Sequence, residues 1–401
     1  MNKILKSIIL SNFFIIFLLP FSDRVNNMDF SSILKLEDSI KVLQAQGEII
    51  LKLSAGQPYI STPENVVTSA IKALKDNKIY YAHSRGVFEL RKAIIDSYNK
   101  NYNLNLDPDK NILITPGAKQ GILYTVLSLV NQGDEVIIPT PAWVSYSEIV
   151  KLAQAKPVFV KTNKNFDLDF ESIKQSITSK TKLIILNSPN NPTGRIIDKK
   201  VLKEINDFCV DRGIYILADE IYSQLVFDQN RNTSILEIDK NLTNIILLDG
   251  FSKAYSMMGW RLGYLIAAPE LINQMLKIQQ NSATSPTTFA QWGAIEAINS
   301  GKEFVDSALK IYQENKDYLV SEFKKLNKFD LVIPQGAIYG FINISKVNND
   351  SEKFCMDFLD NFKIAVVPGI AFGDQGQGYI RICLATDRSN LELFINKLKE
   401  L

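Results

Sequence analysis

LLDGFSKAYSMMGWRLGY, residues 247–264, decides the fold, because an apolar run is followed at once by a turn of small residues. The turn carries Lys253 eight residues before Arg261. NSPNNPTG (187–194) and ADEIY (218–222) likewise follow short apolar runs. A strand that ends in a polar turn places its side chains at the carboxyl edge of a parallel sheet, where open α/β folds bind ligands. The three stretches together predict an α/β fold with a binding site at one sheet edge.

Apolar strand patterns alternate with helical patterns through the middle of the chain. The predicted strands are ILIT from Ile112, EVIIP from Glu135, KPVFVK from Lys156, KLIILNS from Lys182, GIYILADE from Gly213, NIILLDG from Asn244 and GYLIAAP from Gly263. This alternation is typical of a mostly parallel sheet covered by helices. After residue 286, long helices and shorter strands predict an α+β lobe. We therefore predict a large domain over residues 59–299 and a small domain formed by residues 28–58 and 300–401.

Composition excludes several classes of function. The chain has 401 residues and a net charge of +2 without a basic block, so nucleic acid is not an expected partner. Its three cysteines are widely spaced in apolar runs, which argues against a disulfide framework and a zinc site. The single histidine, His83, excludes a site made of several histidines. These features favour a cytoplasmic enzyme with no metal ion.

Residues 1–27 are predicted to be an extension outside the folded protein. Two early lysines and the nearly apolar run 8–19 are typical of a signal peptide or a short membrane anchor. The run is short for a spanning helix, however, and no small-residue cleavage pattern precedes Asp23. We favour a start at Met28, with the upstream residues read as protein, and do not expect membrane binding.

The polar residues at the predicted sheet edge suit pyridoxal phosphate. A lysine such as Lys253 can form an imine with the aldehyde of this cofactor, and Arg261 can fork onto its phosphate. Asp219 ends an apolar strand, where a buried carboxylate needs a partner such as the protonated pyridine nitrogen. Tyr222 and Asn191 can donate hydrogen bonds to the ring's phenolate oxygen. Taken one at a time, they could instead be a solvated lysine, a helix N-cap, a core tyrosine and a turn asparagine.

Further candidates lie on both sides of this region. In TPGAKQG, the amides of Gly117, Ala118 and Lys119 at a helix start form a candidate anion site, although such turns are also common connectors. Trp143 can stack on a flat ring or be simply buried. Arg381 stands inside an apolar strand, where an arginine needs an anion. A substrate carboxylate or a structural salt bridge would satisfy it.

Taken together, these motifs resemble the aspartate aminotransferase family, the class I pyridoxal-phosphate aminotransferases of fold type I. The resemblance extends from about Phe30 to the C-terminus and rests on NSPNNPTG, DEIY, FSKAYSMMGWRLGY, VVPGIAFG and YIRICLAT. It is strongest to the bacterial aspartate and prephenate aminotransferases. It implies a large domain with a mostly parallel sheet between helices, a smaller α+β domain, and a homodimer with shared active sites.

The resemblance also implies a role for each matching residue at the cofactor. Lys253 matches the lysine that forms the imine and carries the proton between Cα and C4′. Asp219 matches the partner of the pyridine nitrogen, Asn191 and Tyr222 match the ligands of the phenolate oxygen, and Arg261 matches the phosphate arginine.

Other matches concern the substrate and the second subunit. Arg381 matches the residue that forks onto the α-carboxylate, Gly56 a backbone contact to it, and Trp143 the ring-stacking aromatic. Tyr81 matches a tyrosine that reaches the phosphate in the neighbouring subunit. In the resembled subgroup, a lysine at the position of Lys119 reads the distal carboxylate of the substrate.

The resemblance therefore implies transfer of an amino group, with L-aspartate as the expected donor and 2-oxoglutarate as the expected acceptor, in a ping-pong cycle. Two departures bear on the substrate: GQPY (56–59) replaces the usual GEPD, and DFSSI (29–33) replaces KPSAT. Asp29 stands where a lysine is tied to prephenate use, which disfavours prephenate. The alternatives are an aminotransferase for aromatic or neutral amino acids, a C–S β-lyase, and a ligand-sensing module without enzymatic activity.

Overall fold

The computed structural model describes residues 21–30 and 32–401, with the side chains of residues 32–35 excepted. Most of the predicted N-terminal extension, residues 1–20, lies outside the described residues. Within the described part, none of the helices combines the length and apolar character needed to cross a membrane.

Thirteen short strands alternate with helices along the described chain. The strands are β1 (Leu51–Lys52), β2 (Ile112–Thr115), β3 (Glu135–Thr140), β4 (Lys156–Lys161), β5 (Thr181–Asn187), β6 (Tyr215–Asp219), β7 (Ile245–Gly250), β8 (Gly263–Ala267), β9 (Asp330–Val332), β10 (Tyr339–Asn343), β11 (Ile364–Ala365), β12 (Val367–Pro368) and β13 (Tyr379–Cys383). The α-helices are α1 (Asp23–Asn26), α2 (Ser32–Ala45), α3 (Glu64–Lys75), α4 (Phe88–Tyr102), α5 (Ala118–Leu129), α6 (Ser145–Leu152), α7 (Phe170–Ser176), α8 (Lys199–Arg212), α9 (Pro269–Ser282), α10 (Thr288–Ser300), α11 (Lys302–Phe323), α12 (Ser351–Phe362) and α13 (Arg388–Lys399).

The predicted strands of the middle region form one seven-stranded sheet, in the order β2-β8-β7-β6-β5-β3-β4. Strand β8 runs antiparallel to the other six strands of this sheet. Alternate side chains of β5 enter different cores: Ile184 and Leu186 pack on one face of the sheet, and Leu183 and Ile185 on the other. Both faces are thus buried, which explains why these strands read as continuous apolar runs. The predicted α/β fold is confirmed.

Two smaller sheets lie outside the large one. Strands β12, β13, β10 and β9 form a four-stranded antiparallel sheet. Strand β1 pairs in parallel with β11, with Leu51 opposite Ile364, so the segment before the large sheet joins the C-terminal region. This pairing agrees with a small domain formed by residues 28–58 and 300–401, and the boundaries of that domain stay a prediction.

The large sheet brings the quoted turns together. Strands β5, β6 and β7 are adjacent and parallel, and Asn187 at the end of β5 is paired with Asp219 at the end of β6. Gly250 ends β7 directly beside them and opens the turn that carries Lys253. Polar residues that are distant in the sequence therefore meet at one carboxyl edge, as the sequence predicts.

Candidate active site

A cavity of about 380 Å³ opens at this edge of the sheet. Most of the residues predicted for the site line it: Gly56, Ala118, Lys119, Trp143, Asn191, Asp219, Tyr222, Lys253, Arg261 and Arg381. Gly117 and Tyr81 do not line it. The cavity therefore collects the candidates from the large sheet together with Gly56 and Arg381, which come from the two ends of the chain.

Lys253 is a partly buried lysine whose amine has a lowered pKa. Its Nζ donates a hydrogen bond to the carbonyl oxygen of Gly56, at 2.5 Å. Burial lowers the pKa of Lys253 to about 8, and the guanidinium groups of Arg381 and Arg261 act in the same direction, while Cys383 opposes the change. A larger share of the amine is therefore neutral near pH 7 than for an ordinary lysine, and the neutral form is the nucleophile.

Asp219 is a buried carboxylate at the end of β6, only 4% exposed. Its Oδ2 accepts a hydrogen bond from the Tyr146 hydroxyl at 2.6 Å, and its Oδ1 accepts one from the amide of Ile221 at 3.1 Å. Burial raises the pKa of Asp219 to about 6 in spite of these donors. Among residues 21–30 and 32–401, no lysine or arginine forms an ion pair with it, although the charge of Lys253 lowers its pKa from a distance. A ligand with a positive group can therefore pair with this carboxylate.

Arg381 is a buried arginine whose hydrogen-bonding capacity is only partly used. Its NH1 donates to Oδ1 of Asn191 at 3.1 Å and its NH2 to the carbonyl oxygen of Ser54 at 2.8 Å. The guanidinium lies over the Tyr339 ring, 4.5 Å from its centre. Its Nε is buried and has no partner in the described part of the chain. An arginine in this state suits an incoming carboxylate.

The start of helix α5 forms the candidate phosphate site. Its N-cap, Gly117, has a φ of +87° and caps no amide with a side chain, so the first-turn amides of Ala118 and Lys119 lack an intrahelical acceptor. A Cβ at position 117 would collide with the guanidinium of Arg261. The Gly117 amide donates to the carbonyl oxygen of Thr115 at 2.7 Å, and its place at an anion stays a prediction. Gly117 therefore serves the site by leaving room for Arg261.

Lys119 and Trp143 stand together at another wall of the cavity. The Nζ of Lys119 lies 4.8 Å from the centre of the Trp143 ring. Burial lowers the pKa of Lys119, and Arg261 adds to this effect. The Trp143 ring in turn meets the Tyr146 ring edge-on, with centroids 5.4 Å apart. The amine thus lies within reach of a ligand in the cavity and keeps partial contact with solvent.

Several residues of the cavity wall are absent from the sequence prediction, notably Tyr146, Tyr339, Ser252 and Asn187. Tyr146 lies in the first turn of helix α6, whereas Trp143 precedes that helix, so no helical spacing in the sequence links the two side chains. Tyr339 donates to or accepts from the Tyr222 hydroxyl at 2.7 Å. Its stretch, GAIYGF, reads as an ordinary strand, and nothing in that pattern marks the hydroxyl.

Two predicted features lie away from the cavity in this chain. Tyr81 is 87% exposed and lies in a surface loop. The altered segment near Asp29 is tied to helix α6: the Asp29 amide donates to Oε2 of Glu148 at 2.8 Å, and its carboxylate lies 3.1 Å from the Nζ of Lys151. The charge of Asp29 is therefore paired at the surface.

Residues 48–398 match the sequence model of the family described as "Aminotransferase class I and II". The chain belongs to this family. It is 37% identical to an aspartate aminotransferase of Pyrococcus abyssi, with 94% of this chain and 97% of that protein covered. It is 36% identical to aromatic-amino-acid aminotransferase 2 of Thermococcus litoralis, with the same coverage.

Solved structures of aminotransferases have the same fold. Aspartate aminotransferase from Thermus thermophilus with maleate superposes with a TM-score of 0.90 at 32% identity, and the match covers 96% of this chain and all of that one. The chain is thus a fold type I aminotransferase, an enzyme of a family that uses pyridoxal phosphate. The predicted resemblance is confirmed, and the ligand-sensing alternative without enzymatic activity loses its basis.

Proposed function

We propose that this aminotransferase holds pyridoxal phosphate between Lys253 and Asp219 and transfers the amino group of L-aspartate to 2-oxoglutarate. One observation carries the proposal. A partly buried amine of lowered pKa and a buried carboxylate that forms no ion pair within residues 21–30 and 32–401 line the same cavity. When bound, the cofactor supplies an aldehyde that bonds to amines and a protonated ring that draws electrons from the substrate.

The residues at the cofactor have separable tasks in this proposal. Asp219 pairs with the ring nitrogen and keeps it protonated. Tyr222 and Asn191 donate hydrogen bonds to the ring oxygen. The phosphate is bound by Arg261 and by the amides at the start of α5, where Ala118 and Lys119 form the first turn. Gly117, which has no side chain, leaves room for Arg261 there. Trp143 stacks on the ring.

Lys253 performs the proton transfers once the substrate amine has taken its place. Its amine is neutral in a larger share than that of an ordinary lysine, because burial lowers its pKa to about 8. In this form it would accept the proton from the substrate Cα and pass it on within the cavity. The neighbouring Gly56 carbonyl, at 2.5 Å, fixes the direction of the amine. One side chain thus serves as nucleophile and as general base.

Arg381 orients every amino acid by its α-carboxylate. The free Nε and the guanidinium edge toward the cavity suit a two-point contact with a carboxylate, and the side chain is held by Asn191 and Ser54. The backbone of Gly56 lies at the same point of the wall. Because all amino acids share this group, Arg381 contributes binding without selecting the side chain.

Lys119 supports an acidic substrate. Its ammonium, beside Trp143 in the cavity wall, attracts the second carboxylate of aspartate and 2-oxoglutarate. The aspartate aminotransferase relative and the Thermus thermophilus structure with maleate, a dicarboxylate, agree with this choice. An aromatic substrate is the second candidate, because the Thermococcus litoralis relative, at comparable identity, is an aromatic-amino-acid aminotransferase.

The assembly and the location form part of the same proposal. We expect a cytoplasmic homodimer in which Tyr81 of each copy completes the phosphate site of the other. The exposure of Tyr81 and of the preceding Tyr80 (75%) and Ile79 (56%) supports this, since a second copy would cover them.

Nitrogen transfer tests the choice of substrate. The purified protein is supplied with pyridoxal phosphate, 2-oxoglutarate and one ¹⁵N-labelled donor, either aspartate, phenylalanine or alanine. We expect labelled glutamate to form fastest from aspartate. A faster transfer from phenylalanine would establish the aromatic candidate instead. In a separate assay with a cysteine S-conjugate and no oxo acid, continuous release of pyruvate, ammonia and the thiol would identify a β-lyase.

A further inference from the structure

A second buried carboxylate, Asp249, lies next to the active lysine turn. It stands in β7, four residues before Lys253, and is 3% exposed. Its Oδ1 accepts a hydrogen bond from the amide of Gly250 at 2.6 Å. Its Oδ2 accepts one from the Tyr98 hydroxyl at 3.1 Å and one from the Tyr264 hydroxyl at 3.2 Å. The proposed chemistry uses none of these groups.

The donors come from different elements around the turn. Tyr264 is the direct partner of Asp249 across the antiparallel pair of β7 and β8. Tyr98 belongs to helix α4, and its hydroxyl lies 3.1 Å from that of Tyr264. Ser223, the residue after Tyr222, donates to the same Oδ2 at 3.4 Å. Asp249 is therefore a common acceptor for a helix, a strand and the turn that follows β6.

Ring packing extends these contacts into the lysine turn itself. The Tyr264 ring meets the Phe251 ring at 5.9 Å between centroids, and Phe251 meets Tyr255 at the same distance. Phe251 and Tyr255 stand two residues before and two residues after Lys253. The main chain on both sides of the lysine is thus packed against the group of residues that Asp249 holds.

Asp249 does not line the cavity of the active site. It lines a separate cavity of about 170 Å³, together with Tyr98 and Tyr264, and the two cavities have no lining residue in common. Burial raises the pKa of Asp249 to about 7, although the Gly250 amide and the two tyrosine hydroxyls oppose the change. Both its charged and its neutral form accept hydrogen bonds. Asp249 also experiences the charge of Asp219, but its contacts lie with the turn and not with the cavity, so we look for its effect in the position of the turn.

We infer that Asp249, Tyr98 and Tyr264 form a positioning network that fixes the turn of Lys253 relative to the turn of Tyr222. This inference rests on the proposed function, because it takes Lys253 as the residue that bonds to the cofactor. A misplacement of about 1 Å at a reacting group can cost roughly a hundredfold in rate. A network that holds two turns by hydrogen bonds thus bears on turnover without touching the substrate.

The test compares Asp249→Ala, Asp249→Asn and Tyr98→Phe with the control Tyr102→Phe. Tyr102 lies one turn further along α4, where its ring stacks on that of Tyr98 with centroids 5.7 Å apart, and the change to Phe keeps this ring. Pyridoxal phosphate is added to each apoprotein, and the near-visible band is followed as the Lys253 amine condenses with the aldehyde and one water leaves. The kcat and KM for one amino donor are then measured on the loaded enzymes.

We expect Asp249→Ala to slow the appearance of the near-visible band and to lower kcat by about tenfold. This loss is smaller than the roughly hundredfold cost of a 1 Å displacement. Tyr98→Phe should have a smaller effect of the same kind, with KM within twofold of the natural protein in both variants. Asp249→Asn, which keeps an acceptor, should recover most of the rate, and Tyr102→Phe should match the natural protein.

Two results would overturn the network. One is an unchanged band rate and kcat in Asp249→Ala and Tyr98→Phe. The other is an equal loss in Tyr102→Phe, which would indicate a general effect of helix α4. If Asp249→Ala does not fold, Tyr98→Phe alone decides between these outcomes. A natural protein that gives no band at all would instead overturn the role of Lys253, and the network with it.

Discussion

The two ends of the cavity are built in different ways. At the end that we assign to the reacting atoms, Asp219 is buried and Lys253 is partly buried, and both bond to groups from distant parts of the chain. At the end that we assign to the phosphate and the distal carboxylate, Lys119 is exposed to solvent with an aromatic ring as its neighbour. Charges interact strongly where water is excluded and weakly where it remains. We therefore expect the enclosed end to determine the reaction and the open end to make a smaller, adjustable contribution to the choice of substrate.

This difference between the two ends agrees with the variety of substrates named for similar proteins. Proteins with aspartate and aromatic substrates in their names are equally similar to this chain. If selectivity depends on few, partly solvated contacts, a small number of substitutions can change it without disturbing the enclosed end. Variants at the two ends should therefore differ both in size and in kind of effect.

The largest effect is expected at Lys253. Lys253→Ala removes the nucleophile and the general base, and general acid–base catalysis alone contributes roughly 10²–10⁴-fold. We expect steady-state transamination to fall by at least about a thousandfold. Lys203→Ala, at an exposed lysine paired with Asp207, is the matched control and should keep full activity. Near-normal turnover of Lys253→Ala would contradict the assignment of the reaction to the enclosed end of the cavity.

At Asp219, activity and stability should change in opposite directions. Asp219→Asn should lower turnover by about a hundredfold, because an amide does not keep the cofactor ring protonated. In the apoprotein, the folded chain retains the Asp219 proton between pH 3.8 and about 6 while the unfolded chain releases it, so wild-type stability falls as the pH rises through this window. Above pH 6, Asp219→Asn should therefore gain about 3 kcal/mol in free energy of unfolding, and below about pH 4 it should gain nothing.

Glu220 provides the control for this variant. Burial raises the pKa of Glu220 to about 8, and its carboxyl group bonds to Ser234 and Ile235 instead of facing the cavity. Glu220→Gln should stabilise the apoprotein in urea unfolding at pH 7 by a similar amount and leave turnover unchanged. Equal loss of turnover in both variants would show that Asp219 acts only as part of the core.

Arg381 should affect all substrates alike. Arg381→Lys keeps the charge but removes the two-point contact, so we expect kcat/KM to fall by about a hundredfold for aspartate and for phenylalanine. Parallel measurements with both donors check this. A loss confined to one donor would mean that Arg381 reads the side chain and not the α-carboxylate.

The smallest effect is expected at Lys119. Lys119→Met keeps the length of the side chain and removes its charge, which in a partly solvated site costs about 1–2 kcal/mol. We expect kcat/KM for aspartate to fall by about tenfold and that for phenylalanine to stay within twofold. An equal fall for both donors would remove Lys119 from the recognition of the distal carboxylate and leave it at the phosphate.

The sequence predicts the sheet edge well because each contribution is local. Strands β5, β6 and β7 are marked by apolar runs, and the turns after them carry Asn191, Asp219 and Lys253 directly. Hydrogen bonds between side chains of different elements are harder to predict from the sequence. Tyr146 bonds to Asp219 over 73 residues of chain, and Tyr339 bonds to Tyr222 over 117. Neither contact has a local pattern, because a tyrosine in an apolar segment looks the same whether or not its hydroxyl finds a buried partner.

The substrate end is harder to predict for a related reason. The segment at Asp29 differs from the resembled subgroup, but only the fold reveals that its charge is paired with Lys151 on helix α6. The Gly117 amide is a similar case, since its acceptor on Thr115 depends on how the chain leaves β2. Motifs identify which residues are present, whereas the use of each polar atom depends on the path of the backbone.

The central claim is that Lys253 is the residue bonded to the cofactor and that the amine of the substrate displaces it. The most direct measurement is borohydride reduction of the loaded enzyme, followed by peptide mass spectrometry, with and without prior addition of L-aspartate. We predict a pyridoxyl group on Lys253, largely absent when aspartate is added first and restored by 2-oxoglutarate. A pyridoxyl group on another lysine, or none on a protein that still transfers amino groups, would contradict the assignment.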